Sequence, residues 1–149
     1  MSRISTLSRI VDVLVIVNVG KAIATNNLSK YVFMVDTTGY SGDGSEGGNG
    51  LITTCHEHDT IVWTVASIDP AETIRILGFS GQAIPDIVHP RPYPQHGGTV
   101  WGGRVNEVGT KVQYTMTLLL AGSKHLTFDP FITATRKLEP LLPPIHGAA

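Results

Sequence analysis

The stretch KVQYTMTLLL (111–120) constrains this chain more than any other. Val112, Tyr114, Met116, Leu118 and Leu120 fall at alternate positions, with Gln113, Thr115 and Thr117 between them. A period of two places the first set on one face of a strand and the second on the other. β-branched and aromatic residues suit a half-buried pleated surface. TIVWTVAS repeats the pattern with Ile61, Trp63 and Val65, and TIRILGF with Ile74 and Ile76 about Arg75. YVFMVD, HLTFDPFITAT and the segment around Thr99–Val105 read as further strands.

Turn chemistry separates these runs. SIDPAE carries an Asp-Pro turn initiator. Gly109 in NEVGT is placed for a left-handed hairpin residue, and AGSK (121–124) reads as a tight connection at Gly122. Pro130 cannot donate a ladder hydrogen bond, so the last strand is expected to be an edge or to bulge there. Helical periodicity is poor. The best helical candidate is a short turn over Ala22–Leu28.

About eight short strands with turns every 8–12 residues predict an all-β protein, an antiparallel β-sandwich of Greek-key or jelly-roll type. The length of 149 residues suits one domain, 1–149, with a Pro-rich tail fraying from about 136. The apolar run at 10–19 reads as a buried strand. It is too short to cross a membrane, and Asp12 and Asn18 interrupt it as a secretory signal, although AIA at 22–24 imitates a cleavage site. The expected location is cytoplasmic, with secretion the alternative. The single cysteine, Cys55, allows no intrachain disulfide and agrees with a reducing compartment.

Charged residues make up 15% of the chain, against about 25% in a typical domain, and the net charge is -1. The Lys and Arg residues are scattered, so no basic stripe points to nucleic acid, and no basic amphipathic helix points to a membrane surface. Low charge leaves little repulsion between copies, which favours a homo-oligomer. A Thr- and Ser-rich sheet surface is the alternative reason for it.

Three constellations bear on chemistry. TTCHEHDT gathers Cys55, His56 and His58, ligand types for zinc or copper. On a strand the two histidines share a face and Cys55 points away. Two ligands are too few for a structural site, and the Met that a blue-copper site needs is missing after Cys55–His56, so no metal is assigned. The glycine-rich segment 36–50 carries Asp36, Asp43, Glu46 and Asn49 without the EF-hand order, and reads as a hairpin connection or a weak cation loop. No nucleophile–base–orienter motif appears, since GFSGQ (78–82) lacks the spacing of a nucleophile elbow. The chain is therefore expected not to be an enzyme, and no cofactor is assigned.

HPRPYPQHGGTVWGGR (89–104) is the richest candidate for binding. Tyr93 and Trp101 could stack on a carbohydrate or small flat ligand, with His96 and Arg104 donating hydrogen bonds. The alternative is a proline-stiffened connection with Trp101 turned into the core.

Several segments together resemble one family. They are VDVLVIVN, YVFMVD, HDTIVWTVASIDP, PDIVHPRPYP, WGGRVNEVGTKVQYTMTLLL and FDPFITAT, spanning about residues 10–134. In this order they are similar to the PixA/AidA group of bacterial inclusion-body-type proteins. Asn18 departs from that pattern, which often closes the first phrase with Asp. The resemblance implies a small, β-rich bacterial protein that self-associates, is linked to cell-density or host-interaction responses, and has no catalytic residues to carry over.

Overall fold

The computed structural model describes residues 8–38 and 50–136. The glycine-rich segment 39–49 and the tail from 137 lie outside the described residues. The strands are β1 (Ile10–Val17), β2 (Val32–Asp36), β3 (Ile52–His56), β4 (Thr60–Ser67), β5 (Ile74–Ser80), β6 (Arg91–Pro92), β7 (Val100–Arg104), β8 (Gly109–Gln113), β9 (Thr115–Leu120), β10 (Lys124–Phe128) and β11 (Phe131–Thr135). One short helix, α1 (Val19–Thr25), links β1 to β2.

The fold is all-β, as the alternating pattern predicts. The first layer has the order β2-β1-β4-β7-β6. The second is built from two three-stranded sheets, β10-β9-β5 and β3-β11-β8. These two run into one another, because β8 continues through Tyr114 into β9 and β10 through Asp129–Pro130 into β11. Tyr114 N–H donates to the Pro130 carbonyl at 3.0 Å across this break. The ladder is interrupted at Pro130, where a donor is missing.

Among the described residues six strand pairs are antiparallel. Two are parallel: β1 with β4, from Ile10↔Thr60 to Val17↔Ser67, and β3 with β11. Side-chain period shows which face a residue takes but not the direction of its neighbour. That is why the two parallel pairs were invisible to the pattern.

The core lies between the layers. Val11, Val13, Val15, Val17, Ile61, Trp63 and Val65 come from the first layer. Met116, Leu118, Leu120, Ile132 and Cys55 come from the second. Trp63 bridges them, its ring 4.6 Å from Phe79 and its indole N–H donating to the Tyr114 hydroxyl at 3.1 Å.

Three local expectations are corrected. The helix begins at Val19 rather than Ala22, because Asn18 caps it by accepting from Lys21 N–H at 3.2 Å. Gly109 is an ordinary β8 residue. The left-handed residue nearby is Lys111 (φ 48°), beside the register shift of the β8–β11 pair. A side chain at Gly109 would meet Ile87 and Val112 at 2.8 Å, so the glycine serves close packing. Finally, β1 is buried on one face only. Its exposure alternates, and Ile10 and Leu14 stand on the outer side. The tight connection at Ala121–Gly122 does form, with both residues left-handed (φ 53° and 73°).

Candidate functional site

The stretch 89–104 is a hairpin that completes the first layer. β6 pairs with β7 through Arg91↔Gly102 and Pro92↔Trp101. A 3-10 turn at Pro94–His96 follows, and left-handed Gly97 (φ 60°) and Gly98 (φ 88°) reverse the chain. Thr99 Oγ1 donates to the His96 carbonyl at 2.8 Å.

This hairpin separates the four candidate binding residues. Trp101 lies opposite the fully buried Trp63, so both point to the interior. The Trp101 ring is half-buried, 5.6 Å from Phe79, and its indole nitrogen is buried with no hydrogen-bond partner. Tyr93 lies on the other face, where its hydroxyl sits over Gly102. Arg104 is three residues from Trp101 and so also points outward, its Nη2 3.4 Å from His58 Nδ1. His96 is exposed in the turn. Tyr93 and Arg104 share a face; Trp101 is on the opposite one. The four do not form one stacking platform.

The TTCHEHDT segment is a tight turn between β3 and β4. The strand ends at His56, and His58 is left-handed (φ 76°), so the two histidines do not share a strand face. Among the described residues no group of three or more His, Cys, Asp or Glu side chains could hold a metal ion. Cys55 is fully buried, and that burial, helped by the nearby Asp59 charge, pushes its thiol pKa up to about 12. At neutral pH it is protonated and unreactive.

Sequence reasoning missed the centre of this turn, Asp59. Its side chain is buried, and it binds the chain on three sides. Oδ2 accepts from His56 N–H at 2.9 Å and from Arg9 Nε at 3.1 Å. Oδ1 accepts from Arg9 N–H at 3.2 Å. Burial alone would raise its carboxyl pKa. The His56 and Arg9 hydrogen bonds and the Arg9 charge outweigh burial and hold it below the usual value. Asp59 therefore ties the start of β1 to the β3–β4 turn.

The most unusual surface is the outer face of the first layer beside β2. Phe33 and Val35 of β2 are 44% and 43% exposed, beside Leu14 of β1 at 37%, while Ile10, at 63%, stands farther along β1 beyond Asp12. Register sets Leu14 against Val35 and Ile16 against Phe33. A solvated sheet face ordinarily carries polar residues at these positions. Here Asp12 is the one charged residue among the outward side chains of β1 and β2. A shallow depression of about 310 Å³ opens on it, lined by Asp12, Leu14, Val35, Thr37 and Thr64. Another, of about 260 Å³, lies elsewhere, between Ile74, Arg75, Leu119 and Gly97. The apolar run of β1, broken by Asp12 alone, was the available signal. Both of its parities are apolar, which reads equally as a strand buried on two sides or as one with an apolar outer face.

No helix among the described residues is long and apolar enough to cross a membrane. The fold is similar to the crystal structure of the inclusion body protein PixA from Burkholderia cenocepacia J2315, with a TM-score of 0.63. The match covers 91% of this chain and 99% of that one, at 11% sequence identity. At that identity the likeness concerns the fold and marks a distant structural relationship. No curated protein matches the chain. Residues 9–126 match the model of a domain of unknown function, DUF8788, and the chain belongs to that family.

Proposed function

We propose that this is a non-enzymatic bacterial protein of the PixA/AidA inclusion-body type, which self-associates in the cytoplasm at high abundance. The observation that carries this reading is the apolar outer face of β1 and β2, with Leu14, Phe33 and Val35 exposed together. Contiguous exposed apolar side chains mark an association surface more often than a solvated one. The net charge of -1 supports the same reading, since it opposes close approach of copies only weakly. The fold likeness to the PixA inclusion body protein agrees with it.

The test is expression in a bacterial host, followed by isolation of any dense bodies. Bodies that redissolve in mild buffer to folded protein, with the β-sheet spectrum of the soluble form, are the expected result. Freely dispersed protein at all expression levels would sink the proposal. A role in cell-density responses belongs to the same proposal and predicts that the protein accumulates as a culture becomes dense.

A further inference from the structure

The outer face described above ends at a strand edge, and that edge has a direction. Asn18 N–H donates to the Tyr31 carbonyl at 2.9 Å, and Thr37 N–H to the Asp12 carbonyl at 3.0 Å. Odd-numbered residues of this segment therefore turn their backbone groups toward β1. In an antiparallel ladder alternate residues bond to opposite sides. Val32, Met34 and Asp36 thus turn their N–H and C=O groups away from β1, and among the described residues no strand pairs with that side.

Edges of this kind ordinarily carry a guard: proline, lysine, a bulge or very short length. The opposite edge of the same layer is guarded. There β6 is two residues long, within the run Pro90, Pro92 and Pro94. β2 reads VFMVD and has no such device. Its pairing with β1 is regular along its length.

We propose that two copies of this chain associate about a two-fold axis at Met34, β2 against β2, antiparallel. This deepens the self-association reading and rests on it. The register follows from the directions above. Met34 meets Met34 of the second copy, and Val32 meets Asp36, as hydrogen-bonded pairs. Phe33 then stands beside Val35 of the other copy on the outer face, in the closer, non-hydrogen-bonded spacing. The two apolar faces join as Leu14, Val35, then Phe33 and Ile16 of the second copy. The ends are complementary in charge. The pairing carries exposed Lys30 of one copy toward the end of β2 that holds Asp36 of the other. In Asp36, Oδ1 accepts from Thr38 while Oδ2 is buried with no hydrogen-bond partner. Such a pairing is isologous. It closes at two copies and yields a continuous ten-stranded layer. A five-residue edge is small beside a standard interface, so the dimer forms in a concentration-dependent way.

The test is sedimentation of the wild type and of the double variant Phe33→Lys/Val35→Lys, from about 1 µM to about 1 mM. Both replaced side chains are exposed, and the variant sets four like charges across the axis. The control is Ile68→Lys, exposed and outside β1 and β2. Amide exchange on the wild type is followed by NMR over the same range. The expected result is a wild-type and control dimer, with association at least about tenfold weaker in the double variant. Val32, Met34 and Asp36 amides should gain protection on concentration, while those of Phe33 and Val35 are protected throughout. A wild-type oligomer unchanged in the double variant, or without that alternation in exchange, overturns the β2 edge and leaves self-association standing. A monomer throughout overturns both. If the double variant misfolds, the alternation in wild-type exchange decides alone.

Discussion

Trp63 and Tyr114 are joined by a hydrogen bond that crosses the interior from one layer to the other, at 3.1 Å between the indole nitrogen and the phenol oxygen. Both side chains are fully buried, so neither polar atom has water as an alternative. Tyr114→Phe keeps the ring and leaves the Trp63 N–H unpaired. The expected loss is about 1–3 kcal/mol in urea unfolding. Trp101→Phe is the contrast. Its indole nitrogen has no partner to lose, so its cost comes from packing against Phe79 alone.

Asp59 predicts acid sensitivity of a particular sign. Its carboxyl is held below the ordinary value of about 3.9, so its stabilisation is complete above that pH and is lost as pH falls through the lower native value. The stability difference between wild type and Asp59→Asn should be constant above about pH 5 and shrink below about pH 4. At neutral pH the substitution should destabilise by about 2 kcal/mol or more, because the Arg9 and His56 donors lose a charged acceptor. Denaturant titrations at a series of pH values check both.

The Cys55 thiol should react with a thiol reagent on the order of a thousandfold more slowly in the native protein than in denaturant, near pH 7.5. Burial raises its pKa to about 12, and native stability should therefore fall as pH rises above the ordinary thiol value of about 8.5. Colourimetric thiol titration with and without denaturant is the measurement. Rapid native labelling would contradict the packing of β3.

Gly102 and Gly103 should differ. A methyl at Gly103 meets Val88 Cγ2 at 2.8 Å and the His89 carbonyl oxygen at 2.9 Å, and a backbone carbonyl cannot swing aside. A methyl at Gly102 meets the tip of the Tyr93 ring, which can. Gly103→Ala should cost about 1–3 kcal/mol and lower Tm by several degrees. Gly102→Ala should cost less and mainly displace Tyr93. Differential scanning calorimetry of the two variants tells them apart.

The strands and their breaks were legible because period-two alternation and proline report on a single chain segment. The left-handed turn at Ala121–Gly122 followed directly, whereas Pro130 breaks the strand run without making it an edge, since β11 lies between β3 and β8. The binding quartet was harder. In GGTVWGGR the neighbours of Trp101 are glycines, so no alternation shows which way the ring faces, and pairing with Trp63 settles it. Asp59 could not be read as a buried anchor, because its main partner, Arg9, is fifty residues away. The apolar outer face was present in β1 and β2 but was indistinguishable from a doubly buried strand until the layers were placed.

The parallel contact between β3 and β11 joins residues 52–56 to residues 131–135, and β11 lies between β3 and β8. During synthesis neither β3 nor β8 has this neighbour until residue 135 has left the ribosome. The first layer, whose strands end at Arg104, can pair earlier, but its inner face waits for a lid. Such distant pairings carry a large loop-closure cost and fold slowly. Closure of this protein is thus a late event in its biogenesis. In the interval before it, the apolar side of β1 and β4 stands without its lid, and exposed apolar surface of that kind is prone to aggregate.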